Sequence, residues 1–232
     1  MPTTLISGAN RGLGLEFVKQ YVADGWRVHA CCRAPNDAEA LQQLAAASNG
    51  SITLHALDVA DFGQIDRFAK DFAAEPIDLL LNNAGIYPDR GSRGFGDTNY
   101  VAWDMAFRVN SMAPLKMAEA FIEHVARSDG RKIAFVTSKM GSMDDNTSGG
   151  AYLYRSSKAA LNMVAKSLAI DLAPRGITVG LLHPGWVQTD MGGPNAWISP
   201  QQSISGMRRV IEQLTLADSG NFYSYDGQWV PW

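Results

Sequence analysis

A five-residue strand pattern at 3–7 (TTLIS) runs straight into Gly8-Ala9-Asn10-Arg11-Gly12-Leu13-Gly14, and a helix-period segment closed by Gly25 follows at once. This junction constrains the chain more than any other. A strand, a glycine-rich turn and a helix in that order build the opening unit of a doubly wound sheet, and the glycines allow a ligand to approach the backbone closely. The first N–H groups of the helix lack partners inside it, which favours an anion such as a pyrophosphate at the turn. Gly8, Asn10, Arg11, Gly12, Leu13 and Gly14 are therefore candidate cofactor contacts. The spacing is Gly-x-x-x-Gly-x-Gly, not the commoner Gly-x-Gly-x-x-Gly, so the turn taken alone also suits a plain loop.

The next strand, 27–32 (RVHACC), ends at Arg33. An acid at such a strand end would bind the adenosine ribose of NAD, but Cys32 stands there. The Arg33 guanidinium suits a 2′-phosphate instead, and Arg11 can add a second positive charge. NADP(H) is preferred on this reading and NAD(H) remains possible; solvated loop arginines are the alternative. A helix over 37–47 leads to a strand over 51–57 and then to Asp58-Val59. Asp58 suits the adenine amino group, and capping of the next helix near Asp61 is as natural. That helix covers 61–74. Pro76 breaks it, and 77–81 (IDLLL) is the continuous apolar run of a strand buried on both faces. It ends in Asn82-Asn83-Ala84-Gly85, where amides and small residues can hold the turn and line a cleft together.

Residues 86–98 read as a glycine-rich loop, and 101–127 as one long helix that contains Asn110, an unfavourable residue in mid-helix. A strand over 132–137 delivers Ser138 at its end, where open sheets bind ligands. Tyr154 and Lys158 then stand four apart on an amphipathic helix that ends near Pro174, so they share one face. A nearby ammonium lowers a phenol's pKa, which suits proton exchange near neutral pH. Alone, the pair is also an ordinary surface pair. A strand over 177–182 precedes His183-Pro184-Gly185-Trp186-Val187-Gln188-Thr189, then a mobile flap over about 186–200, a helix over 201–217 and a closing strand over 220–232 with an Asp-Gly turn.

There is no internal repeat and no linker. The alternation predicts an α/β chain: one domain over 1–232, a Rossmann-type doubly wound sheet of about seven mainly parallel strands, with helices on both faces. A net charge of -3 without a basic run argues against nucleic acid, and no apolar run reaches 18 residues, so no membrane span is expected. The start has neither a charged region nor a cleavage site typical of a signal peptide. The only cysteines, Cys31 and Cys32, are adjacent and form no ordinary disulfide, which points to the cytoplasm. His29, His55, His124 and His183 show no ligand spacing, so no metal site is expected.

With Gly8-x-x-x-Gly12-x-Gly14, Asn82-Asn83-Ala84-Gly85, Ser138, Tyr154-x-x-x-Lys158 and Pro184-Gly185 in this order, the chain resembles the short-chain dehydrogenase/reductase family over about residues 3–226. The opening turn, Arg33 and the ending Tyr225-Asp-Gly-Gln-Trp-Val-Pro-Trp232 resemble its branch of C-factor-like and sniffer-like carbonyl reductases. The resemblance implies that Tyr154 exchanges a proton with a carbonyl or alcohol oxygen, that Ser138 orients this oxygen, that Lys158 assists the phenol and holds the nicotinamide ribose, and that Asn110 holds a water. It implies cofactor contacts at Asp58, Val59, Asn83, Ala84, Gly85, Pro184, Gly185, Val187 and Thr189, besides Tyr154 and Lys158. Tyr87, Met140, Trp186 and Trp197 flank these positions and are the substrate candidates, with ordinary packing as the alternative. Many relatives pair through the helices corresponding to 101–127 and 151–173, so a homodimer or homotetramer is a possible partner state. A cofactor-binding signalling protein is the second functional reading. An NAD-dependent alcohol or sterol dehydrogenase is disfavoured by Cys32-Arg33.

Overall fold

The strands are β1 (Thr3–Ser7), β2 (Arg27–Cys32), β3 (Ile52–Ala56), β4 (Leu79–Asn82), β5 (Lys132–Val136), β6 (Thr178–His183) and β7 (Phe222–Ser224). The computed structural model describes residues 1–72, 75–89 and 94–232. All seven strands lie in one sheet, in the order 3-2-1-4-5-6-7, and every neighbouring pair is parallel. The chain winds outward from β1 to β3, then crosses back to β4 and winds the other way. A crevice consequently opens beyond the carboxyl ends of β1 and β4, where the winding reverses.

Both faces of the sheet are covered, which explains the unbroken apolar strands. In β1, Leu5 packs into one core and Ile6 into the other, as alternate side chains of a strand must. On the Ile6 side lie α1 (Gly12–Ala23), α2 (Glu39–Ala46) and α7 (Pro200–Gln213). On the Leu5 side lie α3 (Phe62–Asp71), α5 (Ala113–Ala126) and α6 (Tyr152–Leu172). A further helix, α4 (Tyr100–Phe107), packs on α6, where the Trp103 Nε1 donates to Ser156 Oγ at 2.8 Å.

The single helix expected over 101–127 is two helices joined by a wide π turn, Arg108–Met112, in which Ala113 N–H reaches back to Arg108 O. One cause is local and the other tertiary. Pro114 removes the N–H that an α-helix would direct at the Asn110 carbonyl. The Asn110 side chain is drawn sideways into three hydrogen bonds with Ile86 and Ser157. Smaller corrections concern the ends. A 3-10 turn, Pro35–Asp37, precedes α2, and another, Leu216–Asp218, follows α7. The expected closing strand is only β7 plus a reversal that brings Trp229 antiparallel to Tyr223. Residues 73 and 74 of the expected helix over 61–74, and 90–93 of the loop over 86–98, lie outside the described residues.

The Leu5-side core centres on Phe121 of α5, which has no exposed surface. Its ring meets Phe68, Phe72 and His124 at centroid distances of 5.4, 5.7 and 5.4 Å. Phe121→Ala should lower stability by about 3–5 kcal/mol in urea unfolding, as large-to-small core changes do. A loss below about 1 kcal/mol would place this aromatic layer outside the cooperative core.

Candidate active site

A cavity of about 580 Å³ runs along the carboxyl ends of the strands, from Arg33 at one end to Tyr154 and Lys158 at the other. Its floor is the glycine-rich turn. Gly14 has no room for a side chain, since a Cβ there would come within 2.0 Å of the Gly8 carbonyl oxygen. Gly8 has φ +67°, and a Cβ on it would meet Ala84 Cα at 2.9 Å. The turn is therefore pressed against the end of β4. Asn83 fastens it: its Nδ2 donates to the carbonyls of Ser7 and Gly8 at 3.0 and 3.1 Å, and its own N–H donates to Ser7 Oγ at 3.1 Å. Asn83 thus holds the turn and lines the cavity at once.

The residues fit a dinucleotide. The first turn of α1 receives no hydrogen bond from the side chain before it, Arg11, whereas Asp61, Asn99 and Ser199 cap α3, α4 and α7. Free N–H groups and the helix dipole there suit a pyrophosphate, and the bare glycine backbone gives it room. At the far end Cys32, Arg33, Ala34 and Asp37 form the wall, with Asp58 and Val59 beside them. Asp58 Oδ1 accepts from Ala60 N–H at 2.9 Å, while α3 is capped by Asp61. Arg11 departs from expectation. Its Nη1 lies 2.7 Å from Asp190 Oδ2, so its charge is already paired across the cavity mouth.

At the other end, α6 presents Tyr154 and Lys158 to the cavity, both buried. Lys158 Nζ donates to the Val136 carbonyl at 2.9 Å and lies 5.8 Å from the centre of the Tyr154 ring. Ser138, at the end of β5, accepts from Met140 N–H at 3.1 Å and is hydrogen-bonded to Tyr154. The Tyr87 ring meets the Tyr154 ring edge-on at 4.8 Å. Gly85 lies beside Asn110 and Lys158: a Cβ there would come into ordinary contact with Asn110 Oδ1 at 3.4 Å and Lys158 Nζ at 3.6 Å.

Burial sets the protonation states. It pushes the Tyr154 phenol up to about 12, and the nearby Tyr87 adds to the rise while the Ser138 hydrogen bond opposes it. Burial also pushes the Lys158 ammonium down to about 8. The expected lowering of the phenol by the lysine is thus overridden, because removal from water acts on both groups and disfavours each charged form.

Of the expected contacts, Gly8, Asn10, Arg11, Gly12, Leu13, Gly14, Arg33, Asp58, Val59, Asn83, Ala84, Gly85, Pro184 and Thr189 line the cavity, as do Tyr87, Tyr154 and Lys158. Others fall elsewhere. Asn110 is fully buried behind the wall, with its amide bound to Ile86 and Ser157. Val187 is buried and bridges to Ile198, and a Cβ on Gly185 would strike Ile198 Cδ1 at 2.6 Å. Trp186 and Trp197 turn to each other, with ring centres 5.3 Å apart, and the Trp186 Nε1 closes the segment by donating to the Gly192 carbonyl at 2.7 Å. Met140 is in the turn after Ser138 and is not part of the wall. Residues not anticipated include Thr137, Asp190 and Met191, each adjacent in sequence to a predicted residue or to another of the three, and Asp37, which no pattern marks. Among the described residues no group of three or more His, Cys, Asp or Glu side chains could hold a metal ion, and no helix is long and apolar enough to cross a membrane.

The geometry agrees with known proteins along most of the chain. The profile of the short chain dehydrogenase family matches residues 2–196. The C-signal of Myxococcus xanthus is 46% identical over 165 residues, which cover 71% of this chain and 98% of that protein. The carbonyl reductase Sniffer of D. melanogaster superposes with a TM-score of 0.93 at 33% identity over 100% of both chains. The NADPH-bound carbonyl reductase from chicken fatty liver superposes with a TM-score of 0.92 at 31% identity, covering 100% of this chain and 99% of that one. The chain belongs to the short-chain dehydrogenase/reductase family, in its C-factor-like and sniffer-like branch.

Proposed function

We propose that the chain is an NADPH-dependent carbonyl reductase acting on ketones, aldehydes or quinones, with Tyr154 as general acid. The observation that carries this reading is the buried Tyr154 phenol, bonded to Ser138 and beside Lys158, in the wall of the cavity that the glycine-rich turn opens onto. NADPH, when bound, supplies the hydride that the carbonyl carbon accepts. The uncapped start of α1 binds the pyrophosphate, and Arg33 grips the 2′-phosphate. Ser138 donates a hydrogen bond to the carbonyl oxygen and orients it. Tyr154 passes its Oη proton to that oxygen as negative charge develops there, and Lys158 supports the resulting phenolate. A phenol with its pKa near 12 carries its proton at neutral pH, the form that a general acid needs. Tyr87 and Met191 in the wall favour an apolar or aromatic substrate.

The relation to the C-signal supports a second reading, a cofactor-binding signalling protein in which the Tyr154 proton has no part. Tyr154→Phe separates the two. Turnover on a panel of small carbonyls should fall about 100- to 10,000-fold, with the NADPH dissociation constant within about twofold of wild type. Retained turnover would remove Tyr154 from the mechanism, and a wild-type protein that binds NADPH but reduces nothing would favour the signalling reading.

Arg33→Ala should weaken NADPH binding about 10- to 100-fold in a fluorescence titration and leave NADH nearly unchanged. Equal losses for both cofactors would show that Arg33 does not read the 2′-phosphate.

Lys158 makes a separate prediction about stability. Its pKa falls from 10.5 to about 8 on folding, so between those values the unfolded chain binds more protons than the folded one. Stability from this group therefore rises with pH across that window, and the penalty is full below about pH 8. Lys158→Met should be more stable than wild type at pH 7 without cofactor, and the advantage should shrink toward pH 10.5. Urea unfolding at the two pH values checks it; a gap independent of pH would contradict a buried charge.

A further inference from the structure

We propose that Asp89 is a positioning residue for Tyr154, capping the catalytic helix from the loop that follows β4. The start of α6 has no anchor of its own. Gly149, Gly150 and Ala151 precede it with φ of +64°, +63° and +45°, three successive left-handed residues. Ala151 stands at the cap position and has no side chain that can accept a hydrogen bond. The first N–H groups of a helix need acceptors from outside it, above all when they are buried. Asp89 provides them. Its Oδ2 accepts from Tyr154 N–H at 2.8 Å and its Oδ1 from Leu153 N–H at 3.3 Å, across 65 and 64 residues of chain. The aspartate is 7% exposed, and a carboxylate suits the positive end of the helix dipole.

Both bonds go to the main chain, so Asp89 acts through Tyr154. The other main-chain polar group of the same residue is held too: the Tyr154 carbonyl accepts from Ser157 Oγ at 2.8 Å, and Ser157 in turn accepts from Asn110 Nδ2 at 3.0 Å. The Tyr154 backbone is therefore clamped at its N–H and at its C=O. Asp89 also stands two residues after Tyr87, whose ring packs edge-on against the Tyr154 ring. One short segment thus places the acid and the substrate-side wall as a unit. Displacement of a reacting group by about 1 Å can cost on the order of 100-fold in rate, so loss of the cap reaches the chemistry even though Asp89 touches no reacting atom.

The kinetic half of the test rests on the carbonyl reductase reading, and hydrogen exchange does not. In Asp89→Ala, kcat should fall about 10- to 100-fold, with NADPH affinity within about twofold of wild type. Amide exchange at Leu153 and Tyr154 should speed up at least about tenfold, while β5 and the rest of α6 exchange as before. Asp89→Asn keeps one acceptor oxygen and should recover most of kcat. Three results would overturn the proposal: kcat of the alanine variant close to wild type, no rescue by asparagine, or faster exchange throughout the sheet together with lost NADPH binding, which marks a general folding role. If the wild-type protein reduces no carbonyl, the reductase reading fails alone. Exchange then decides: faster opening confined to Leu153 and Tyr154 with NADPH binding intact sustains the positioning role, and unchanged exchange at those amides overturns it.

Discussion

Three separate stretches of chain meet at the Asn110 side chain, and the rest of the site depends on that meeting. Its Oδ1 accepts from the Ile86 N–H at 2.8 Å and its Nδ2 donates to the Ile86 carbonyl at 2.9 Å, so one amide pairs with both sides of one residue. The same Nδ2 reaches Ser157 of α6. The loop beyond β4 is thereby locked to the turn between α4 and α5, and both are locked to the helix that carries Tyr154 and Lys158. A regular helix through 110 would not let the side chain do this. The π turn swings it inward, a local departure of the kind that often accompanies functional sites. Buried polar groups bonded on all sides specify one arrangement, because any shift leaves a donor or acceptor unpaired away from water.

The burial that accompanies this arrangement also sets the protonation of Tyr154 and Lys158. A phenol is neutral when protonated and an ammonium is charged when protonated, so the same loss of water raises the one and lowers the other. The Tyr154 phenol keeps its proton, and the Lys158 ammonium, lowered to about 8, is still mostly charged at pH 7. Neither effect needs a direct contact between them, and the ammonium is turned to the Val136 carbonyl. The carboxyl end of the sheet is thus where the fold accepts an electrostatic penalty, next to an apolar core that supplies the stability.

The layout of strands and helices was legible because parallel strands covered on both faces read as unbroken apolar runs, and Gly25, Pro76 and Pro174 mark element ends. The glycine turn and the Tyr154–Lys158 spacing were legible because each is a local pattern whose geometry follows from the element it lies on. What escaped is tertiary. The helix period holds on either side of the π turn, so the interruption leaves little trace in the pattern, although Pro114 was a signal that 101–127 could not be regular. Trp186 and Trp197 flank the site in sequence, yet their rings find each other instead of the cavity. Arg11 meets Asp190 across 179 residues and Asp89 meets Tyr154 across 65, separations that no periodicity encodes. The phenol's direction of shift was also hidden, since it depends on burial and not on the neighbour that the spacing supplies.

Charge at the adenosine end bears on how a phosphorylated cofactor is chosen. Arg11 and Arg33 contribute two positive charges to this part of the cavity wall, but Asp37, Asp58 and Asp190 stand in it too, so its formal charge is not positive. The protein as a whole carries -3. A long-range positive field therefore does not draw an anionic cofactor in, and any preference for a 2′-phosphate has to come from contact. A guanidinium can supply that contact, because two parallel N–H groups match two phosphate oxygens whatever the net charge nearby. A helix N-terminus such as that of α1 acts on an anion over the same short range. Selection by directed donors in a wall without net positive charge would therefore rest on Arg33, since Arg11 is already paired with Asp190.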